Sequence, residues 1–214
     1  MIYQWQATLA NPYILILEIT ALLATMITAY TWRVKILGNA LGWLTLTIAI
    51  WVLFYALELR TADLEAKLRM ARLEYIGMVS TPIAWLICAR QYAGHNGWPT
   101  RRSAVLLLLI PLLTLVLVWT NHLHGLIWSS IVALPNARFS ALQVAHGPWF
   151  WVHLGYCYVL VGLGTMYLLS VIQQMPGLYR RPAAILLLCG LAPWLANALS
   201  FVPTVEAFLS AHDP

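Results

Sequence analysis

Six stretches of the chain, at 12–32, 36–59, 73–90, 103–120, 148–173 and 182–201, are apolar almost throughout and lack the strict alternation of barrel strands. Each is long enough as a helix to cross a hydrocarbon core of about 30 Å. A backbone in lipid has to satisfy its own hydrogen bonds, so uncharged runs of this kind predict an all-α, polytopic membrane helical bundle with six spans. Asn11 and Pro12 supply a cap and a first-turn proline for the first helix. The mixed-charge segment 60–72, with Asp63, Glu65, Lys67, Arg69 and Arg72, reads as a solvated extension leading into the third helix. Pro82 and Pro111 fall inside helices three and four, where the missing N–H is expected to kink or loosen the turn. Between helices four and five, 121–147 reads as a β-hairpin. Its arms, 126–134 and 139–144, are rich in strand formers, and Pro135-Asn136-Ala137-Arg138 supplies the turn. The tail from 202 to 214 holds two prolines and two charges and is too short to span.

Composition agrees with the pattern. The 214 residues are 62% hydrophobic and 9% charged, against about half and a quarter in soluble domains. The chain is read as one membrane domain over 1–214 whose surroundings are the lipid bilayer. Its net charge of +5 follows from basic residues kept on the cytoplasmic side for topological reasons, and no nucleic-acid partner is expected. The opening Met1-Ile2-Tyr3-Gln4-Trp5 has no positive n-region, so the first apolar run is a span rather than a cleaved signal peptide. With the N-terminus outside, seven basic residues (Arg33, Lys35, Arg90, Arg101, Arg102, Arg180, Arg181) lie on the cytoplasmic side and five (Arg60, Lys67, Arg69, Arg72, Arg138) on the other. That orientation makes the hairpin extracellular. Cys88, Cys157 and Cys189 lie in apolar helices with no CxxC spacing, and no disulfide is expected.

Several short runs occur in a telling order: Leu73-Glu74-Tyr75-Ile76-Gly77 followed by Pro82 and Trp85, the Thr120-Asn121-His122 helix end, the Trp128 hairpin, and Gly147-Pro148-Trp149-Phe150-Trp151-Val152-His153 entering helix five. In order and spacing they resemble the seven-helix N-terminal sensor region of bacterial histidine kinases and related diguanylate cyclases. The resemblance runs along most of the chain. It implies a sensory input domain in the bacterial inner membrane with an extracytoplasmic N-terminus, a kinase, PAS or cyclase output behind the last helix, and a homodimer formed through that output. The chain departs from the pattern by stopping after six spans with no output region, and the seventh helix would begin just after Asp213-Pro214. A fragment of a longer signalling protein is therefore expected.

Candidate chemistry gathers in two places. Carboxylates inside a membrane are expensive and need partners or a wet cavity, which singles out Glu18, Glu58 and Glu74. Trp51, Tyr55 and Glu58 share one face of helix two, and Glu74, Met78, Thr81 and Trp85 share one face of helix three. Arg60 and Arg72 are near enough in sequence to serve Glu58 and Glu74, whereas Glu18 has no evident partner. The second concentration is the hairpin and its flanks, where four of the six histidines lie between 122 and 153. There His146, Trp149, Phe150, His153 and Tyr156 follow three- and four-residue steps into helix five. A pocket with aromatic walls and few polar groups suits a small ligand. The residues expected to contact it are Glu18, Trp51, Tyr55, Glu58, Glu74, Met78, Asn121, His124, Trp128, Trp149, His153 and Tyr156. The same tryptophans also fit an interfacial aromatic belt.

The histidines lack metal spacing with a carboxylate or thiolate, and only His153 lies in a span, so neither a metal site nor a haem is expected. No serine or cysteine shows a His–acid pairing, so no enzyme activity or cofactor is expected within these residues. The function expected is binding of a small ligand at the extracytoplasmic mouth, with helix rearrangement relayed to a cytoplasmic output. The alternative is a small proton- or cation-coupled transporter or channel using Glu18 and Glu74.

Overall fold

A computed structural model of the chain describes residues 12–35, 39–95, 99–133, 142–174 and 177–200. The elements are α1 (Pro12–Val34), α2 (Ala40–Arg60), α3 (Leu64–Tyr92), α4 (Arg101–Trp119), the single turn α5 (Asn121–His124), β1 (Trp128–Ala133), β2 (Leu142–His146), α6 (Pro148–Gln174) and α7 (Gly177–Ser200). Among the described residues, α1, α2, α4 and α6 are long and apolar enough to cross a membrane. The third helix starts earlier than its apolar run does. Asp63 caps it, its Oδ2 accepting from the Ala66 N–H at 2.8 Å, so the mixed-charge segment forms the first turns of α3. Pro82 and Pro111 each sit within one continuous helix. The start expected for the second helix, at 36, lies outside the described residues, as does the turn at 135–138.

The burial pattern is that of a lipid-exposed bundle. Leu106, Leu109 and Met166 are more than 60% exposed, while small residues such as Ala21, Ala24, Ala49 and Ala56 are buried at helix contacts. Polar side chains inside the helices bond back to their own backbone: the Thr114 hydroxyl donates to the Ile110 carbonyl, and the Thr81 hydroxyl to that of Gly77. Thr28 of α1 and Thr45 of α2 join hydroxyls at 2.8 Å across the helix pair.

α3 is the hub, packing against α2, α4 and α6. Two close approaches fix its position. At Gly77 an added Cβ would meet the Trp51 nitrogen at 2.4 Å and the Thr47 carbonyl oxygen at 2.6 Å, so α2 and α3 touch backbone to backbone there. Further along, the Trp85 ring wedges between α6 and α7. A Cβ at Gly164 would lie 2.5 Å from the Trp85 Nε1, and one at Gly190 would lie 2.1 Å from its Cη2. The Trp85 Nε1–H donates to the Val161 carbonyl at 3.3 Å.

β1 and β2 pair antiparallel, with Trp128 opposite His146 and Ile131 opposite Val144, and the register breaks between Trp128 and Ser130. The expected second arm at 139–144 falls partly outside the described residues; β2 covers Leu142 to Val144 of it and runs on to His146, which pairs with Trp128 at the entry to α6. The hairpin packs onto one end of the bundle through Ile127 and Trp128, which join a cluster with Ala71, Tyr75, Val79 and Val118.

Candidate functional site

A cavity of about 620 Å³ lies between α1, α2, α3 and α7. Its longest wall is one face of α2, from Leu41 through Leu44, Thr45, Ile48, Trp51 and Val52 to Tyr55, a rise of about 21 Å. Tyr13 and Leu17 of α1, Glu74, Thr81 and Trp85 of α3, and Leu186, Cys189, Gly190 and Trp194 of α7 complete it. α1 packs on α2 and α7 packs on α6, and among the described residues α1 and α7 have little contact with each other across the cavity they flank. The cavity is polar only towards the hairpin end. There the Trp51 Nε1–H donates to the Glu74 Oε1 at 2.8 Å, and Tyr55 hydrogen-bonds Tyr13 across the α1–α2 pair. The other end is walled by leucines, Trp85 and Trp194.

Three of the residues singled out from the sequence, Trp51, Tyr55 and Glu74, line this cavity. Thr45, Cys189, Gly190 and Trp194 were not singled out at all. Thr81 and Trp85 share the Glu74 face of α3, and that periodicity is the sequence signal that leads to them. For the α7 residues no local signal exists, because their position depends on how Trp85 seats against Gly190.

The carboxylates are partnered differently from the sequence expectation. Glu18 is held by Arg60, whose Nε and Nη2 donate to the two carboxylate oxygens at 2.5 and 2.8 Å. Arg60 therefore serves Glu18 rather than Glu58. The antiparallel α1–α2 pair brings the last residue of α2 level with the second turn of α1, which sequence distance conceals. Glu58 is buried, and so is Lys67, whose Nζ donates to the Glu58 carbonyl at 2.8 Å and lies within electrostatic reach of its carboxylate. Glu74, 9% exposed, accepts one hydrogen bond, from Trp51, and has no ion pair among the described residues.

Bidentate pairing makes a double-mutant cycle on Glu18 and Arg60 informative. Glu18→Gln and Arg60→Gln each strand a partly buried charge, so each is expected to destabilise by about 1–3 kcal/mol, with the double variant closer to wild type than the sum. Unfolding in bicelles measures this, and strictly additive losses would exclude the coupling.

The remaining residues expected to contact ligand do not line the cavity; most of them build the hairpin end, while Tyr156 packs deeper, among Ile83, Leu86 and Leu160. Asn121 is buried, with its Nδ2–H donating to the Trp128 carbonyl and its Oδ1 accepting from the Ile127 and Trp128 N–H groups. His124 bridges the Thr120 hydroxyl and the Leu126 N–H. Trp128 stands edge-on to Tyr75, ring centroids 5.5 Å apart, and Met78 packs beside them. The Trp149 Nε1–H donates to Thr114, whose hydroxyl also meets the His153 Nδ1 at 3.3 Å, while the His153 Nε2 lies 3.3 Å from the Cys157 Sγ. The Tyr156 hydroxyl donates to the Leu107 carbonyl at 2.6 Å. His146 stacks on Phe150 at 3.7 Å, and its burial lowers its pKa below the ordinary 6.5, favouring the neutral ring at pH 7. Among the described residues no group of three or more His, Cys, Asp or Glu side chains is arranged to hold a metal ion.

A family model described as the N-terminal 7TM region of histidine kinase matches residues 16–213. No curated protein and no solved structure is significantly similar to the chain.

Proposed function

From the premise that the chain belongs to the family of N-terminal 7TM regions of histidine kinases, we propose that it is the membrane-embedded sensory input domain of a bacterial signalling protein. In this reading six of its helices span the inner membrane. The N-terminus and the hairpin face the extracytoplasmic side, and a small ligand enters between the helices. Helix rearrangement then passes to a cytoplasmic histidine kinase or cyclase output, through which two copies dimerise. The family is a sensory membrane region rather than a catalytic one.

The observation that carries the reading is the cavity bounded by α1 and α7, two helices with little contact between them among the described residues. A ligand shifts an equilibrium only if it binds one packing better than the other. A space whose two flanks have little contact meets that condition, because drawing α7 towards α1 changes the contacts a ligand makes. The transporter alternative draws no comparable support: Glu18 is committed to Arg60, and the polar groups of the cavity gather at one end.

The test is to fill the cavity. In the full-length gene product in nanodiscs, Ile48→Trp is expected to shift basal output several-fold and to blunt further response, while Leu106→Trp, on the exposed face of α4, leaves both unchanged. Unaltered output with Ile48→Trp in a folded protein would retire the sensor reading.

A further inference from the structure

The three intramembrane carboxylates are not equally provided for. Glu18 has the Arg60 guanidinium on both oxygens, and Glu58 has the buried Lys67 beside it. Glu74 is buried, as Glu58 is, whereas Glu18 is partly exposed. Glu74 faces the cavity, and among the described residues it has only the indole N–H of Trp51. A single neutral donor does not offset the desolvation of a carboxylate. Among the described residues that line the cavity none is a lysine or arginine, and Glu74 makes no ion pair there. Around Glu74 the walls are Trp51, Tyr55 and Tyr13, whose ring faces attract cations. Beyond it the cavity continues through Leu44, Ile48 and Leu41 to Trp85, a mainly apolar wall that also carries Thr45, Thr81 and Cys189.

We propose that this cavity binds a lipophilic cation, an organic amine or quaternary ammonium whose charged head meets Glu74 between Trp51 and Tyr55 and whose apolar body lies along α2 towards Trp85. The inference rests on the sensor reading and names the ligand class of that site. The volume, about 620 Å³, is within the range of small-molecule pockets and suits a body of drug-like size. The flanks α1 and α7, with little contact between them, provide a route from the bilayer, where such molecules concentrate. An anionic ligand would meet Glu74 as a like charge. A neutral one would leave the buried carboxyl without a counter-ion, its desolvation relieved only by uptake of a proton. A membrane-soluble cation is the ligand that satisfies both ends of the cavity.

The experiment measures equilibrium binding of radiolabelled phenylpropyl-trimethylammonium, and of its uncharged isostere with carbon in place of nitrogen, to the full chain in nanodiscs of zwitterionic lipid. Wild type is expected to bind the cation at least ten-fold more tightly than the isostere. Glu74→Gln should erase that preference, Glu74→Asp should keep most of it, and Glu65→Gln, at an exposed position in the first turn of α3, should leave it intact. Equal affinity for the two probes in wild type, or a preference that survives Glu74→Gln, would overturn the proposal. Selective binding with no effect on the output of the full-length gene product would keep this site and retire the sensor reading. Absence of selective binding in a protein whose output still shifts with Ile48→Trp would retire the cation and leave the sensor reading standing.

Discussion

Gly77→Ala is expected to destabilise the bundle by about 2–3 kcal/mol, although alanine is the better helix former by about 1 kcal/mol. The reason is what the new methyl group meets. Its neighbours would be the Trp51 nitrogen at 2.4 Å, the Thr47 carbonyl oxygen at 2.6 Å and the Trp51 Cα at 2.8 Å. All are backbone atoms of α2, which cannot rotate aside as a side chain would, so the helices must separate over much of their contact. Gly155→Ala and Gly162→Ala are the controls, because a Cβ at either meets nothing within 4 Å. Both should be neutral or stabilising by up to about 1 kcal/mol. Unfolding in bicelles reads all three, and a Gly77→Ala as benign as Gly155→Ala would show that α2 and α3 do not approach so closely. Separation of α2 from α3 also moves Trp51 relative to Glu74, so a folded Gly77→Ala protein should lose affinity for anything held between them.

Asn121→Ala is the second large effect, and its damage should stay local. The side chain holds three backbone groups at the α5–β1 corner: the Ile127 N–H at 2.9 Å, the Trp128 N–H at 3.1 Å and the Trp128 carbonyl at 2.9 Å. Each buried backbone group left unpaired costs about 1–3 kcal/mol, less where water enters, so a loss of about 2–4 kcal/mol is expected. The hairpin meets the bundle through Ile127 and Trp128, and the expected result is its release from Tyr75 rather than global unfolding. Hydrogen exchange would show rapid labelling at 125–133 and 142–147 with the amides of α2 and α3 still protected. Asn121→Asp, which keeps the acceptor oxygen and loses the donor, should fall between. Unchanged exchange in Asn121→Ala would mean that the corner is held by hydrophobic packing alone.

Much of the molecule was legible before folding was considered. Apolar runs of spanning length impose helices because lipid offers the backbone no other partner, and a helix covers each of the six runs among the described residues, the third starting nine residues before its apolar run. The strand formers of 126–134 marked the first arm of the hairpin, and the order of short motifs pointed to the sensor family that matches residues 16–213. Helical periodicity put Trp51 with Tyr55, and Glu74 with Thr81 and Trp85, on shared faces.

Which face meets which partner was decided only by tertiary structure. Periodicity gives a residue's angle on its own helix and says nothing of the rotation and register between helices. Those follow from a few close contacts: Gly77 on the α2 backbone, and Trp85 seated between Gly164 and Gly190. They bring Cys189 and Trp194 into one cavity with Glu74 and set Asn121, Trp149 and His153 to securing the hairpin end. The ion pairs are tertiary for the same reason. Arg60 is two residues from Glu58 in sequence and 42 from Glu18, yet antiparallel packing of α1 on α2 places its guanidinium on Glu18. The amino-acid order determined that three carboxylates enter the apolar helices. The packing of those helices determined that Glu74 is the one that faces the cavity and, among the described residues, makes no ion pair.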